Sequence, residues 1–283
     1  MQQREQQDQG GKVPGSTGGP ALRVAGVPEH FNLCWHLALE AGSIDIDWQD
    51  TPGGTGQLVD LIRDDEADVI VALTEGTVAA IDRGLTARIV AAQVVSPLQW
   101  GVHVAAGSRF QSVDQLEGAQ IAISRFGSGS HLMAFVQALE RGWTVDESQF
   151  VLVGDIHGAR QALVAGEADQ FLWDRFMTQP LVDGGDFRRI GIQPTPWPPF
   201  VVAASRDILT NRGEELDDVL VAVRTEAVAL HARPDIVEVL TSRYGLGEET
   251  ARQWLASTEF SADGAFDPAE ADEIRSALAA SDH

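Results

Sequence analysis

The sequence predicts an α/β protein of two lobes with a helical extension at its C-terminus. Strand and helix patterns alternate in the segments 22–83 and 120–174, which is typical of sheets built from βαβ units. The turns at 65–68 and 166–169 share the sequence Glu-Ala-Asp and introduce similar strands in the two halves. From residue 214 onward the pattern is helical. A chain of 283 residues is long enough to give each lobe its own core.

The first half predicts three strands, each followed by a helix. The strands are the apolar run 22–27, the alternating segment 44–48 and the run 67–73, with helices at 31–41, 57–65 and 76–83. This order favours a parallel sheet, in which ligands bind at the carboxyl ends of the strands. Polar residues follow each strand end, so the candidate ligand-binding residues here are Glu29, His30, Thr51, Thr74 and Glu75. For Glu29 and His30 the alternative is a capping role at the next helix.

The second half predicts another βαβ series and a return to the first lobe. A β-rich passage at 87–106 and a short helix at 112–118 precede strands at 120–124, 150–153 and 170–174. The segment 188–204 crosses back through the rigid Pro194-Thr195-Pro196-Trp197-Pro198-Pro199. Helices are predicted at 214–232, 234–244, 248–257 and 268–280. The resulting organisation is a disordered leader at 1–20, a first lobe of 21–105 plus 195–283, and a second lobe of 106–194.

A Ser/Gly-rich turn between a strand and a helix is the strongest candidate for ligand contact. Its candidate residues are Ser124, Arg125, Gly127, Ser128, Gly129 and Ser130. Small residues let a ligand approach the backbone, and the first amides of the following helix point out of the turn. With the helix dipole and the Arg125 charge, these groups favour a carboxylate, a phosphate or a polar ring edge. The alternative is a purely structural tight turn. The Gly-Lys-Ser/Thr ending of a phosphate-binding P-loop is absent.

Aromatic and acidic residues complete the predicted site. Trp100, Trp173 and Trp197 offer flat faces for a ring, and the alternative for each is core packing. Glu75 and Asp174 offer acceptors for amino or ring N–H groups, and the alternative for each is a solvated rim position.

Composition excludes several classes of function. The formal net charge is −22 and Lys12 is the only lysine, which argues against binding to nucleic acid or to anionic membranes. No apolar run is long enough for stable membrane insertion. The single cysteine, Cys34, excludes an intrachain disulfide and is predicted to be a buried, inert thiol. Histidines lack metal-ligand spacing, and Gly53-Gly54-Thr55-Gly56 lacks dinucleotide-binding spacing, so no metal and no cofactor are predicted.

The chain resembles the type 2 periplasmic-binding-protein family across residues 21–260. The resemblance rests on the order of elements, the lead-in 116–122, the Ser/Gly segment 124–130 and the acidic turns at 65–69 and 167–171. It looks similar to a non-secreted group related to binders of thiamine-pyrimidine precursors, which carries a comparable Ser-Arg-aromatic-Gly-Ser-Gly-Ser segment. Fungal synthases of the same fold use a Cys-rich segment and an active-site histidine and lysine. This chain has only Cys34, and Lys12 lies in the leader.

The resemblance implies a small-molecule-binding protein with a cleft between its lobes, related to the receptors of ABC transporters. Its ligand is expected to be a polar heterocycle or a carboxylate. No nucleophile with an evident base is present, so catalysis is not predicted. One alternative is a cytosolic enzyme of this fold that acts on chorismate-derived acids, as in menaquinone synthesis. The other is a transporter receptor whose signal peptide lies upstream of Met1. Because 1–20 lacks an apolar region, a cytoplasmic location is expected.

Overall fold

A computed structural model describes residues 19–281. The predicted leader at 1–20 therefore lies almost entirely outside the described residues. In the described part of the chain the strands are β1 (Leu22–Gly26), β2 (Ile46–Asp50), β3 (Val69–Leu73), β4 (Ala87–Val94), β5 (Gln99–Ala105), β6 (Ile121–Ile123), β7 (Phe150–Leu152), β8 (Gln170–Asp174), β9 (Phe187–Pro194) and β10 (Phe200–Ser205).

Helices separate the strands and form the C-terminal part. They are α1 (Leu33–Glu40), α2 (Gly54–Arg63), α3 (Thr74–Asp82), α4 (Gly129–Arg141), α5 (Ile156–Ala165), α6 (Gln179–Asp183), α7 (Arg206–Asn211), α8 (Gly213–Ala229), α9 (Ile236–Tyr244), α10 (Glu248–Ser257) and α11 (Pro268–Ser281). The predicted α/β class and the C-terminal helical extension are confirmed. The short helices α6 and α7 were not predicted.

The first sheet has the strand order β2-β1-β3-β10-β4. Strands β1, β2 and β3 run parallel, as predicted. The return strand β10 lies between β3 and β4 and is antiparallel to both, with Val202 opposite Val71 on one side and Ala91 on the other. The parallel sheet predicted from the first half is therefore completed by antiparallel pairing, because the chain returns from the second lobe in the opposite direction.

The second sheet has the order β7-β6-β8-β5-β9. Strands β6, β7 and β8 are parallel, whereas β5 pairs antiparallel with both β8 and β9. The predicted lobe boundary placed 99–105 in the first lobe. Its pairing through Trp100–Asp174 and Trp100–Gln193 places β5 in the second sheet instead. The chain crosses between the sheets before Gln99, not at residue 105.

Two neighbouring segments connect the lobes. The first, 95–98, leads out of β4, and the second, 195–199, leads into β10. Leu98 and Thr195 bind each other here: the Thr195 amide donates to the Leu98 carbonyl at 3.0 Å, and the Leu98 amide donates to Thr195 Oγ1 at 2.9 Å. The crossings are thus fixed to one another by backbone and side-chain hydrogen bonds.

Both faces of the central strands of each sheet are buried. In β3, Val69 and Val71 pack into one apolar cluster and Ile70 and Ala72 into another, as expected for a strand covered by helices on both sides. In the second sheet Ala122 faces a separate cluster together with residues of α5. This burial explains why central strands such as β3 are continuous apolar runs in the sequence, whereas the edge strand β2 alternates.

The last helix, α11, contacts both lobes. It packs against α3 of the first lobe and α4 of the second. Ala271 and Ile274 are buried, and Arg275 forms an ion pair with Asp82 at the end of α3, with Nε–Oδ2 at 2.8 Å and Nη2–Oδ1 at 3.0 Å. Helix α11 therefore bridges the two lobes through its contacts with α3 and α4. Within residues 19–281, none of the helices has the length and apolar character needed to cross a bilayer.

Candidate functional site

A cleft of about 720 Å³ lies between the two lobes. The first lobe lines it with residues that follow β1, β2 and β3, and the second lobe with residues that follow β6, β7 and β8. The carboxyl ends of the parallel strands of both sheets therefore meet at one cavity. This is the position where α/β sheets generally bind ligands.

Most of the predicted site residues border this cleft. The structure brings together eleven of them: Glu29, Glu75, Trp100, Ser124, Arg125, Gly127, Ser128, Gly129, Ser130, Trp173 and Asp174. They come from both lobes, so the cleft is complete only when the lobes lie together.

Three predicted residues lie elsewhere. His30 is fully buried and packs edge-on against Trp254, with ring centroids 4.9 Å apart. The Thr51 side chain is fully buried, and Thr74 Oγ1 donates to the carbonyl of Pro198. None of these three side chains borders the cleft, because each points from the strand end into the core. Their roles in this structure are packing and connection of the lobes.

Two buried carboxyl groups each present one oxygen that has no hydrogen-bond partner in the described structure. Glu75 accepts a 3.1 Å bond from the Trp197 indole N–H at Oε2, while its Oε1 has none. Asp174 accepts from the amides of Phe176 and Met177 at Oδ1, at 2.9 and 2.8 Å, while its Oδ2 has none. Burial raises the pKa of Glu75 to about 7 and that of Asp174 to about 6.

A third carboxyl group, that of Glu29, faces the same cleft. Burial by the surrounding protein, and in addition the negative charge of Asp174, raises its pKa to about 8. Near neutral pH the Glu29 carboxyl is therefore mostly protonated and can both donate and accept a hydrogen bond. The three carboxyls together make a wall suited to N–H groups and ring nitrogens.

Two tryptophans give the cleft an aromatic surface. Trp100 and Trp173 meet edge to face, with ring centroids 6.3 Å apart. Trp100 is 4% exposed, and its Nε1 has no partner in the described structure. The third predicted tryptophan, Trp197, does not border the cleft and instead orients Glu75.

The Ser/Gly turn forms the wall of the second lobe and begins α4. Ser128 is the N-cap, and its Oγ accepts from the His131 amide at 3.3 Å. Ser130 Oγ accepts from the Ser124 amide at 3.0 Å and lies 3.0 Å from Ser128 Oγ. The hydroxyl groups thus hold the turn together. What the turn adds to the cleft is the amino end of a helix.

Gly129 leaves no room for a side chain. A Cβ added to Gly129 would lie 2.7 Å from Trp100 Cη2 and 3.1 Å from Leu73 Cδ1. Leu73 belongs to the first lobe, so Gly129 lets α4 approach both the cleft tryptophan and the opposite lobe.

Arg125 reaches across the cleft to the first lobe. A Cβ added to Gly56, in the first turn of α2, would lie 2.5 Å from Arg125 Nη2. The guanidinium therefore rests on the backbone of that turn, and it makes no hydrogen bond or ion pair among the described residues.

Beside the cleft lies a second cavity of about 1020 Å³, which we name the outer chamber. Its walls are α3, α4, the loop at 145–147 and α11. Glu75, Gly76, Arg83, Phe126 and Gly127 border both cavities. Phe126 is 51% exposed there, although it is a large apolar side chain.

Sequence reasoning missed several residues that line the cleft. Arg83 lies at the far end of α3, and Phe31, Met177 and Phe200 have the apolar character of core residues. Gly154, Asp155 and Ile156 follow β7, and the rule that selects residues at strand ends would have found them.

Two further predictions concern reactive groups. Burial raises the pKa of the Cys34 thiol to about 12, consistent with the predicted inert side chain. Within the described residues, no three His, Cys, Asp or Glu side chains are grouped so that they could hold a metal ion.

Comparisons with known proteins agree with this architecture. The sequence profile of a family described as Ca3427-like PBP matches residues 100–192. The structure is similar to that of the CA3427 gene product of Candida albicans, which exhibits the generic periplasmic binding protein fold. The two are 26% identical with a TM-score of 0.86, over 93% of this chain and 90% of that chain. No curated protein matches the sequence.

Sulfonate-binding proteins share the fold. The alkanesulfonate-binding protein SsuA from Xanthomonas axonopodis pv. citri, bound to MOPS, is 19% identical with a TM-score of 0.75, over 92% of this chain and 91% of that chain. The aliphatic sulphonate binding protein SsuA from Escherichia coli is 16% identical with a TM-score of 0.72, over 92% and 86%. The two-lobed periplasmic-binding-protein fold and the resemblance to that family are confirmed.

Proposed function

We propose that this chain binds a small polar heterocycle bearing N–H groups in the cleft between its lobes. The observation that carries the proposal is a set of three buried polar atoms without partners in the described structure, on residues that border one cavity: Glu75 Oε1, Asp174 Oδ2 and Trp100 Nε1. An unpaired buried polar group costs about 1–3 kcal/mol. A ligand that pairs all three recovers that cost.

The chemistry of these atoms defines the complementary ligand. The carboxyl oxygens of Glu75 and Asp174 accept hydrogen bonds from amino or ring N–H groups, and the Trp100 indole donates one to a ring nitrogen or oxygen. Trp100 and Trp173 offer aromatic surface beside these groups. Aminopyrimidines are small molecules that combine a flat ring with hydrogen-bond donors and acceptors. The resemblance of 124–130 to binders of thiamine-pyrimidine precursors supports the same class.

The proposal is tested with the hydroxymethyl-aminopyrimidine precursor of thiamine as the probe. Isothermal titration above pH 7 should detect saturable binding that Glu75→Gln and Asp174→Asn each weaken about tenfold or more, because the amide removes the negative charge that strengthens the hydrogen bond to the ligand N–H. Glu167→Gln, at an exposed turn outside the cleft, is the matched control and should not change the affinity. Absence of binding, or equal affinity in all four proteins, would contradict the proposal.

An enzyme acting on chorismate-derived acids is the second candidate, favoured by one observation. The protonated Glu29 faces Asp174, whose charge contributes to its raised pKa. Two carboxyls with different pKa values are a common arrangement for general acid–base catalysis. Incubation with chorismate derivatives followed by mass spectrometry tests this candidate. A product formed by the wild type and not by Glu29→Gln would support it.

We propose a cytoplasmic protein, with a transporter-associated receptor as the alternative. Translation of the genomic sequence upstream of Met1 tests both, since a signal peptide in frame would replace the first with the second.

A further inference from the structure

The outer chamber is a second cavity between the lobes, and the proposed function does not use it. Its walls are α3 from the first lobe, α4 and the loop 145–147 from the second, and α11, which contacts both helices. Its volume of about 1020 Å³ lies at the upper end of the range of about 300–1,000 Å³ that is usual for small-molecule sites. A heterocycle bound at Trp100 and Asp174 does not fill it, because neither residue borders the chamber.

Phe126 offers the chamber an aromatic surface that is held in place. Its ring centroid lies 5.3 Å from that of His131 and 6.1 Å from that of Phe150, and both contacts are close to perpendicular. His131 is itself oriented by the Gly127 amide, which donates to its Nδ1 at 3.1 Å. Phe126 is nevertheless 51% exposed. A ring that is packed at one edge and open elsewhere loses little conformational entropy when a ligand covers it.

The apolar surface continues along α4 and α11. Leu132, Phe135, Val145 and Leu278 border the chamber and not the cleft. The Phe135 ring lies 5.1 Å from that of His131, so it belongs to the same aromatic cluster as Phe126. Aromatic and aliphatic side chains that share one concave wall are typical of sites for flat apolar groups.

The charged side chains of the chamber do not define an ionic ligand. Arg275 is paired with Asp82, with Nε–Oδ2 at 2.8 Å, and Asp146 caps the turn that follows it. Arg83 and Glu147 contribute one charge of each sign. Recognition in the chamber therefore depends on its apolar surface.

We propose that the outer chamber is a second ligand site, for an uncharged aromatic molecule that packs on Phe126 and Phe135. The inference goes beyond the proposed function and does not depend on it. Since α11 forms one wall of the chamber, a molecule bound there also stabilises the docked position of this helix.

The test uses N-phenyl-1-naphthylamine, a neutral aromatic amine whose fluorescence rises in apolar surroundings. Titration of the wild type should give a saturable rise. Ala279→Trp should weaken binding about tenfold or more, because the indole occupies the space that the probe needs. Phe126→Ala should weaken it about fivefold or more, because the packing ring is lost.

The two variants act by opposite changes of volume, so each tests the site by itself. Ala279 is exposed on α11 and borders the chamber but not the cleft, so a larger side chain there does not overpack the core. Ala229→Trp is the matched control, because Ala229 is exposed at the end of α8 and borders neither cavity. The control should bind the probe as the wild type does.

Excess hydroxymethyl-aminopyrimidine distinguishes the chamber from the cleft. The probe should stay bound in its presence and should slow hydrogen exchange of the α11 amides. Displacement of the probe, or an affinity that Ala279→Trp leaves unchanged, overturns the second site, and so does the absence of saturable binding. None of these outcomes decides the proposed function, which titration of the pyrimidine tests separately.

Discussion

The indole N–H of Trp197 donates a 3.1 Å hydrogen bond to Oε2 of Glu75. Trp197 lies in the second crossing between the lobes, and Glu75 lies in the first turn of α3. The crossing segment thus fixes the orientation of a carboxyl group in the cleft. Residues that connect the lobes and residues that face the ligand are therefore coupled by a direct contact.

Trp197→Phe should destabilise the protein chiefly through Glu75. The substitution leaves Oε2 buried without a donor, which costs about 1–3 kcal/mol of the free energy of unfolding. Urea unfolding of Trp197→Phe, Glu75→Gln and the double variant isolates the pair, and we expect a coupling free energy of about 1 kcal/mol. Strictly additive effects would show that the bond contributes nothing.

Stability should fall with rising pH because of Glu29. Its pKa is raised from 4.5 in the unfolded chain to about 8, so between these values the folded state retains a proton that the unfolded state has lost. His30 and His103, with pKa values lowered by burial to about 3, act in the opposite direction only below about pH 6.5. Glu75, whose pKa is raised to about 7, contributes to the decline chiefly below that pH, so urea unfolding between pH 7 and 8 should show a decline that Glu29→Gln flattens. A parallel decline in Glu29→Gln would contradict this assignment, and Glu167→Gln is the control.

Gly129→Ala should be destabilising although alanine favours helices. The added methyl group would lie 2.7 Å from Trp100 Cη2, and such overpacking costs about 1–3 kcal/mol. Gly213→Ala is the matched control, since Gly213 also begins a helix and its Cβ would meet no atom within 4 Å. We expect the control to unfold at the wild-type temperature or above it. Similar melting temperatures for both variants would argue against close contact at Gly129.

Ile274→Ala should release α11 from the body of the protein. Ile274 is fully buried, and removing a buried isoleucine side chain down to Cβ costs about 2–5 kcal/mol. Hydrogen exchange of the α11 amides should accelerate more than that of β3, if the loss is local. Val228→Ala, at a 61% exposed position of α8, serves as the control and should leave exchange unchanged. Uniform acceleration throughout the protein would show that α11 does not undock separately.

The apolar pattern predicted most strands but not the direction of every one. Val201 to Ala204 are buried on both faces of β10, as are the residues of β3 beside it, which belongs to the parallel set. A strand covered on both sides has the same composition in either direction. Its antiparallel pairing follows from the return of the chain across 195–199, which is a tertiary property.

The positions of the strand ends predicted where the candidate site lies. The direction of each side chain determines whether that residue borders the cleft. Glu75 and Thr74 are neighbours after β3, yet Glu75 faces the cleft and Thr74 donates to the Pro198 carbonyl. Arg83 escaped prediction because it is separated from the strand end by a whole helix. It reaches the cleft only through the packing of α3 against the rest of the lobe.

The contact of α11 with both α3 and α4 has a thermodynamic consequence. Any rotation that separates the lobes must first detach this helix from one of its two partners. The work of detachment then opposes the exchange of ligand in both directions, slowing entry and departure alike without altering the affinity of the closed state. Residence time in the cleft would therefore be governed in part by side chains that never touch the ligand.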